Sequence, residues 1–341
     1  MISDRLQALS QSLVATGPFA FCGIAVQRLG QAPLLAIGTA PQVTAQPQTQ
    51  FRVASVSKIV TAAVILEALR RMGLDPSSPR DASEALGFRL RHPHYDDVQI
   101  TIAALAAHTS GLKDFTVPAD MPLREVFAGN VFLPQPADTT FAYSNAGYIL
   151  LAEIAQNLSG TRFDQIARDV LSAMDVQGSF NWLDIGTMPD TLPTFRHDGQ
   201  TFVPKIDHSP QIGRFDPKAN VAQFSPQGGL RTSLSGMLAI AGSLRSTSAA
   251  TLWSPKRGPF DPVGGVFESY GWGLQIFATP VFYPRPLIGH FGNAYGFNGG
   301  VWYDRQTETA FAYALNGVAE GDESDVFSAH ELSIFQTIAA L

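Results

Sequence analysis

The sequence predicts an α+β protein in which one antiparallel sheet, flanked by helices, is built from both ends of the chain and a mainly helical lobe is inserted between them. Segments rich in aromatic and β-branched residues predict strands at 19–27, 33–38, 271–277, 281–290, 299–304 and 309–316. Between these two groups, helical periodicity occurs at 102–107, 146–158 and 163–174. We therefore expect a sheet domain of residues 1–74 and 225–341 and an inserted helical domain of residues 75–224.

The two ends of the chain also carry helices that are expected to flank the sheet. Residues 3–16 have helical periodicity, Gly30 marks a turn between the first two strands, and residues 328–341 are expected to form a closing helix. Residues 59–69 are apolar on nearly every face and are not interrupted by Gly or Pro. Such a run predicts a buried helix.

A polar stretch at 178–226 shows no sustained periodicity and is rich in Pro, Asp and Gly. Loops of this length inside a compact domain usually have a functional role. From its position in the chain, we expect this stretch to form a wall of the substrate pocket.

Composition limits the kinds of partner and site. Of the 341 residues, 45% are hydrophobic and 15% are charged, which is typical of a globular protein. The net charge of −6 is not offset by a basic cluster, so no nucleic-acid partner is expected. Cys22 is the only cysteine, which excludes an intrachain disulfide and a cysteine-rich metal site.

The first residues of the sequence lack the basic start and continuous apolar stretch of a signal peptide. No segment approaches the ~18 apolar residues of a membrane-spanning helix. We therefore expect no membrane span and a cytoplasmic location, with a periplasmic or secreted location as the alternative if a leader was removed.

The first residues that carry chemistry lie just before the predicted buried helix. Ser55-Val56-Ser57-Lys58 places a hydroxyl and an amine three residues apart, and residues at i and i+3 of a helix share a face. A lysine among apolar groups loses part of its preference for the charged form, and a neutral amine can activate a serine hydroxyl. Because Ser and Lys are common, this spacing occurs by chance on the order of once in a chain of this size.

Two further segments complete a pattern with the Ser-Lys pair. Tyr143-Ser144-Asn145 precedes a helix-like run, and His290-Phe291-Gly292 lies in a strand-like segment. The order of these three segments resembles the active-site motifs of the penicillin-recognising serine hydrolases. Within that family, the chain is similar to the class C β-lactamase-like branch, which also contains D-stereospecific peptidases and carboxylesterases.

The resemblance extends to the residues between the motifs. The segment at 100–112 ends in HTSGL, 141–151 contains a YSNxGY pattern, and 227–233 resembles a GGLxST turn. The resemblance thus covers residues 51–300 and implies the β-lactamase/transpeptidase-like fold.

The resemblance assigns roles in acyl transfer to individual residues. It implies that Ser55 is the nucleophile and that the backbone N–H groups of Ser55 and Asn293 stabilise the oxyanion. Lys58 and Tyr143 are both candidates for the proton-handling group, and because they titrate as a coupled pair, the sequence leaves open which is the base. Asn145 is expected to hydrogen-bond Lys58 and the substrate.

The third motif departs from the β-lactamase pattern. Its first position usually carries a lysine that meets the substrate carboxylate, whereas His290 is mostly neutral at pH 7. Phe291 replaces a small hydroxyl residue and favours an apolar substrate group, while Gly292 completes the motif and is expected, with His290, to contact the substrate. These differences favour an esterase or peptidase.

The sequence therefore predicts a serine hydrolase that forms a covalent acyl-enzyme with a small-molecule ester, amide or peptide, most simply a carboxylic ester or small amide. It predicts neither a metal site nor an organic cofactor. A β-lactamase or D-stereospecific peptidase of the same fold is one alternative, and a catalytically silent ligand-binding relative is another. Oligomeric state is not predicted.

Overall fold

The computed structural model describes residues 2–185, 191–205, 215–246, 266–318 and 326–341. Twelve strands lie in these ranges: β1 Phe21–Arg28, β2 Leu34–Thr39, β3 Gln50–Arg52, β4 Gly178–Ser179, β5 Thr194–His197, β6 Phe202–Lys205, β7 Arg231–Ser233, β8 Ser269–Tyr270, β9 Gln275–Phe277, β10 Leu287–Ala294, β11 Phe297–Asp304 and β12 Thr309–Asn316.

Ten α-helices lie in the same described ranges. They are α1 Ile2–Thr16, α2 Ser57–Arg71, α3 Ala82–Leu86, α4 Ile102–Ala106, α5 Leu123–Val126, α6 Asn145–Ser159, α7 Phe163–Ala173, α8 Trp182–Ile185, α9 Leu234–Ser243 and α10 Ala329–Ala339. Short 3₁₀ turns occur at Ala54–Val56 and Val221–Phe224.

The main sheet is antiparallel and has seven strands in the order β2-β1-β12-β11-β10-β9-β8. Strands from the beginning of the chain pair with strands from its end, since β1 lies beside β12. The predicted α+β fold with a sheet built from both ends is therefore confirmed. The prediction did not include the small sheet β3-β7-β4 or the β5-β6 hairpin.

One predicted strand was wrong in its bounds. The run at 281–290 contains Pro284 and Pro286, which lack the N–H that a central strand must donate. The strand consequently begins at Leu287 and extends through the third motif to Ala294. The predicted strand at 271–277 is likewise interrupted, because Gly273 has a φ of +69° and turns the chain between β8 and β9.

Alternating side chains of the sheet fill two cores. On β12, Phe311, Tyr313 and Leu315 belong to the core shared with α1 and α10. The intervening alanines of β12 face the other core, where α9 packs against β12. Small residues on that face allow the helix to approach the sheet closely.

The second core continues from the sheet into the helical part of the chain through α2, which packs against α6 and α7. This position buries the N-terminal end of α2 between the sheet and the helices. The division into domains at residues 75 and 224 stays a prediction. Within the described ranges, no helix combines the length and apolar composition needed to cross a bilayer.

Candidate active site

The nucleophile candidate lies in a tight turn directly before α2. Ser55 belongs to the 3₁₀ turn Ala54–Val56 rather than to the α-helix itself. Lys58 is the second residue of α2, so the pair spans the junction of turn and helix, and residues three apart there stay on one side. Ala54 has a φ of +46°, a left-handed conformation that is uncommon for a residue with a Cβ and that occurs often at functional sites.

Hydrogen bonds from neighbouring segments hold this turn in place. The Ser57 hydroxyl donates to the Ala54 carbonyl at 2.6 Å and accepts from the Leu230 N–H at 3.0 Å. The Val53 N–H donates to the Leu230 carbonyl at 3.0 Å. The GGLxST segment that contains Leu230 therefore supports the turn that carries Ser55.

Lys58 is fully buried and lies at the centre of a hydrogen-bonding group. Its Nζ lies 3.1 Å from Ser55 Oγ, 2.7 Å from Asn145 Oδ1 and 2.8 Å from the Gln227 carbonyl oxygen. Two of these three neighbours, the amide and the peptide oxygen, can only accept. A neutral amine satisfies them with its two N–H groups and keeps its lone pair for the hydroxyl of Ser55.

Burial lowers the pKa of Lys58 to about 7, because transfer out of water penalises the ammonium form. The carboxylate of Asp114 acts in the opposite direction and raises the pKa. Near neutral pH, both protonation states of Lys58 are consequently populated. A proton can therefore be taken from Ser55 and later returned without extremes of pH.

Asn145 is the first residue of α6, and Asp114 fixes its orientation. The Asn145 backbone N–H donates to Asp114 Oδ1 at 2.7 Å, and its side-chain Nδ2 donates to Asp114 Oδ2 at 2.9 Å. Because a carboxylate accepts only, the amide NH₂ must face Asp114 and the amide oxygen must face Lys58. Asp114 thus sets the direction of the hydrogen bond between Asn145 and Lys58.

Tyr143 lines the same cavity as Ser55 and Asn145. The Nζ of Lys58 lies 4.7 Å from the centre of its ring. The centre of the His108 ring lies 4.2 Å from the centre of the Tyr143 ring. His108 Nδ1 also accepts a hydrogen bond from the Ser144 N–H at 3.0 Å. His108 therefore fixes both the ring of Tyr143 and the peptide that follows it.

The third motif lies on β10. At Gly292 its backbone approaches the turn that carries Ser55 closely. A Cβ on Gly292 would lie 2.6 Å from the Val53 carbonyl oxygen and 3.2 Å from the Ser55 nitrogen. A side chain at this position would push the strand away from Ser55. The next residue, Asn293, lines the cavity together with Ser55.

His290 occupies a different position from the other predicted site residues. Its side chain is fully buried and is not among the described residues that line the cavity. One ring nitrogen is hydrogen-bonded to the Tyr270 hydroxyl at 2.7 Å, and the other lies beside the Phe291 carbonyl. Burial, with a smaller contribution from the charge of Lys58, lowers the pKa of His290 to about 3, so the ring is neutral.

The cavity above Ser55 has a volume of about 640 Å³. Its lining is rich in aromatic side chains, namely Phe115, Phe141, Tyr143, Phe267, Phe291 and Tyr295. Phe291 thus faces the cavity, although His290 beside it does not. Of the described residues in the stretch 178–226, Ala222 lines the cavity, while 186–190 and 206–214 lie outside the described ranges.

Sequence reasoning did not identify three residues of the site. Asp114 lies two positions after the HTSGL segment, and Gln227 comes directly before Gly228-Gly229. Their closeness to these two motif segments was the feature of the sequence that could have identified them as site residues. Arg52 also lines the cavity, and its guanidinium donates to the Gly228 carbonyl at 2.6 Å and lies 4.0 Å from the centre of the Tyr295 ring.

The described residues contain no group of three or more His, Cys, Asp and Glu side chains arranged to hold a metal ion. The chemical groups that line the site are those of serine acyl transfer. A hydroxyl lies beside a buried amine at a turn before a helix, on a β-lactamase/transpeptidase-like fold. This combination defines the class of serine hydrolases with that fold.

The family assignment agrees with this class. The family model described as Beta-lactamase matches residues 26–332, so the chain belongs to this family. The resemblance stated from the three motifs is therefore confirmed.

The individual relatives have low sequence identity to this chain. A probable fimbrial assembly protein FimD from Dichelobacter nodosus is 26% identical over 76% of this chain and 64% of its own length. A D-aminopeptidase from Gluconobacter oxydans is 25% identical over 80% of this chain and 52% of its own length. The chain thus spans between half and two thirds of these two relatives.

Among solved structures, the hydrolase EstCE1, described as having promiscuous acyltransferase activity, is similar with a TM-score of 0.77. The two chains are 17% identical, and the similarity covers 99% of this chain and 98% of the other. At this level of identity the likeness shows the fold.

Proposed function

We propose that this protein hydrolyses carboxylic esters or small amides through a covalent acyl-enzyme on Ser55. The observation that carries the proposal is the contact of Lys58 Nζ with Ser55 Oγ, Asn145 Oδ1 and the Gln227 carbonyl. Two fixed acceptors direct the N–H groups of the amine, so its lone pair faces the hydroxyl. This arrangement is suited to removing the proton of Ser55 as its oxygen attacks a carbonyl carbon.

In the proposed acylation step, the proton of Ser55 passes to Lys58 while Oγ bonds to the carbonyl carbon. The backbone N–H groups of Ser55 and Asn293 stabilise the negative oxygen that forms. The proton then moves to the leaving alcohol or amine as its bond to carbon breaks. Water releases the acyl group from Ser55 in a second step of the same kind.

Tyr143 shares the handling of the proton with Lys58 in this proposal. Its ring lies next to the amine of Lys58 and packs against the ring of His108. A phenol beside an amine can exchange a proton with it, which lets the two groups act together in moving the proton between Ser55 and the leaving group. Because Tyr143 lines the cavity that contains Ser55, it is suited to passing a proton to the leaving group.

The pKa of Lys58 predicts the pH dependence of the free enzyme. Since the neutral amine is the active form, kcat/KM for a neutral ester is expected to rise as pH increases through about 7 and to level off above it. Initial rates at low substrate concentration between pH 5 and 9 measure this limb. A rate that is constant across this range would contradict the assignment of Lys58 as the proton acceptor.

The position of His290 favours ester or amide substrates over β-lactams. In the related β-lactamases, a lysine at this position meets the substrate carboxylate, whereas His290 is buried, neutral and bonded to Tyr270. Phe291 and Phe267 instead present apolar surface to the cavity. An acyl group with an apolar side chain fits this lining.

A comparison of substrates tests the proposed specificity. We expect kcat/KM for p-nitrophenyl butyrate to exceed that for a chromogenic cephalosporin, because without a lysine at position 290 the cephalosporin loses a carboxylate contact worth roughly 3 kcal/mol, or about 100-fold in its own kcat/KM. Both rates are measured by absorbance with the same enzyme preparation. Faster hydrolysis of the cephalosporin would favour the β-lactamase alternative.

A D-stereospecific peptidase remains the second candidate, because a D-aminopeptidase is 25% identical over 80% of this chain. The acyl-enzyme chemistry is the same for both candidates, and the leaving group and the stereochemistry of the acyl part differ. Hydrolysis of a D-alanyl peptide faster than of any simple ester would favour the peptidase. The geometry around Lys58 argues against a silent ligand-binding protein, since that role does not require a neutral amine at the serine.

A further inference from the structure

We infer that Thr61 and Arg52 are positioning residues that hold the turn of residues 225–228 against Lys58 and so fix the direction in which its amine points. This inference rests on the proposed function and deepens it, because it explains how the amine is kept directed at Ser55. It follows from hydrogen bonds that reach the 225–228 turn from two separate segments of the chain.

The 225–228 turn supplies one of the two fixed acceptors of Lys58. The Gln227 carbonyl oxygen lies 2.8 Å from Lys58 Nζ. The turn is tight, since the Gly228 N–H donates to the Ser225 carbonyl at 2.9 Å and Ser225 has a φ of +49°. A residue with a Cβ stays in this left-handed conformation only where surrounding contacts stabilise it.

Thr61 provides the first of these contacts. It is a buried residue of α2 and lies three positions after Lys58, so both side chains are on one face of the helix. Its hydroxyl donates to the Pro226 carbonyl at 2.7 Å. A threonine inside a helix can bond a carbonyl in the preceding turn of its own helix, whereas Thr61 bonds a different segment.

Arg52 provides the second contact. From β3, its Nε donates to the Gly228 carbonyl at 2.6 Å and its Nη2 donates to the Ser225 hydroxyl at 3.1 Å. Its guanidinium also lies 4.0 Å from the centre of the Tyr295 ring. The planar guanidinium can serve both acceptors at once, which the single ammonium of a lysine does less well.

Three successive carbonyl groups of the turn are therefore bonded by three different side chains. The Pro226, Gln227 and Gly228 carbonyls contact Thr61, Lys58 and Arg52 respectively. Because the carbonyl groups on either side of Gln227 are fixed, the Gln227 carbonyl is fixed as well. The N–H that it accepts from Lys58 then has one direction, and the lone pair of the neutral amine keeps its direction toward Ser55.

The Gln227 carbonyl also affects the protonation of Lys58. Hydrogen bonds from a charged donor are stronger than those from a neutral one, so this carbonyl favours the ammonium form. Displacing it is expected to lower the pKa of Lys58, whereas a loosened site that admits water would raise the pKa toward the ordinary value of a lysine. Charged or titratable groups that interact with the amine or lie near it are Arg52, Asp114, His108, Tyr143, Tyr148 and His290. All of them are retained when Thr61 is replaced.

Thr61→Val tests the inference, because valine has nearly the same size but cannot donate to Pro226. NMR of isotope-labelled lysine side chains follows the titration of Lys58, whose signal is identified by its loss in Lys58→Met. We expect the midpoint to fall by about one pH unit relative to wild type. We expect the high-pH plateau of kcat/KM for p-nitrophenyl butyrate to fall about tenfold, since the amine is less well directed.

Two further variants serve as controls for Thr61→Val. Thr61→Ser keeps the hydroxyl and is expected to retain the wild-type midpoint and most of the plateau. Ser10→Ala removes another buried hydroxyl, which donates to the Gln7 carbonyl within α1 at 2.9 Å. It is expected to leave both quantities unchanged.

Arg52→Lys tests the second contact with the positive charge retained. It is expected to lower the midpoint and the plateau in the same direction as Thr61→Val. Because both residues act through one turn, the loss in the double variant is expected to be smaller than the product of the two single losses. Losses that multiply would show that the two residues act independently and would overturn their shared role.

A midpoint for Lys58 that is unchanged or raised in folded Thr61→Val would also overturn the inference, as would a Thr61→Ser variant that behaves like Thr61→Val. Failure of the proposed function has a separate readout, namely no ester hydrolysis by the wild-type protein. In that event the NMR midpoints, which do not require turnover, decide whether Thr61 and Arg52 position the turn.

Discussion

Ser55→Ala is expected to lower kcat/KM for p-nitrophenyl butyrate by roughly 10⁴- to 10⁶-fold, which is the loss expected when a serine nucleophile is removed. The hydroxyl is the group that bonds to the substrate in the proposed mechanism, and neither the amine of Lys58 nor the phenol of Tyr143 can replace it across the observed geometry. The measurement is the initial rate at several substrate concentrations with carefully separated wild-type and variant preparations.

A matched control is Ser78→Ala, which removes an exposed hydroxyl outside the cavity. This variant is expected to keep wild-type rates. The fold of Ser55→Ala is expected to be intact, because the turn is held by Ser57 and Leu230 rather than by the Ser55 side chain. A folded Ser55→Ala protein with more than a tenth of wild-type activity would show that another residue is the nucleophile.

Lys58→Met is expected to lower kcat/KM by about 10²- to 10⁴-fold, as is typical when a general base is removed. Methionine fills much of the same buried space but cannot accept the proton of Ser55. The rising limb near pH 7 is expected to disappear from the residual activity, since the group that titrates there is gone. A pH series on the wild-type and variant proteins measures both effects.

The stability of Lys58→Met separates a chemical effect from unfolding. The variant loses a buried amine that is costly to charge, and leaves Asn145 Oδ1 and the Gln227 carbonyl without their donor at a cost of about 1–3 kcal/mol. The thermal midpoint is therefore expected to change by only a few degrees. Lys218→Met, at an exposed position, is the control for loss of a lysine. Retention of the pH 7 limb in Lys58→Met would assign that limb to another group.

Local sequence patterns were sufficient to predict the pair at the centre of the site. The apolar run at 59–69 forms part of α2, and Ser55 in the turn before α2 lies 3.1 Å from the amine of Lys58 in its first turn. Both features depend on residues a few positions apart, for which helical geometry is known in advance. The precise turn was not predictable, because a strained residue such as Ala54 is stabilised by distant segments.

Contacts between distant segments account for what the sequence did not reveal. Asp114 and Asn145 are 31 positions apart, and their two hydrogen bonds depend on how α6 packs in the tertiary structure. The burial of His290 depends in the same way on Tyr270, which lies on another strand of the sheet. A motif specifies which residues occur at a site, whereas packing decides which of them face the cavity.

Covalent labelling of Ser55 tests the central claim most directly. Wild-type protein treated with an alkyl fluorophosphonate is expected to gain the mass of one phosphonyl group, which peptide mapping places on Ser55, and Ser55→Ala is expected to gain none. Labelling is expected to slow strongly in Lys58→Met, since the amine activates the oxygen that is labelled. A wild-type protein that stays unmodified, or equal labelling of wild type and Ser55→Ala, would contradict the account.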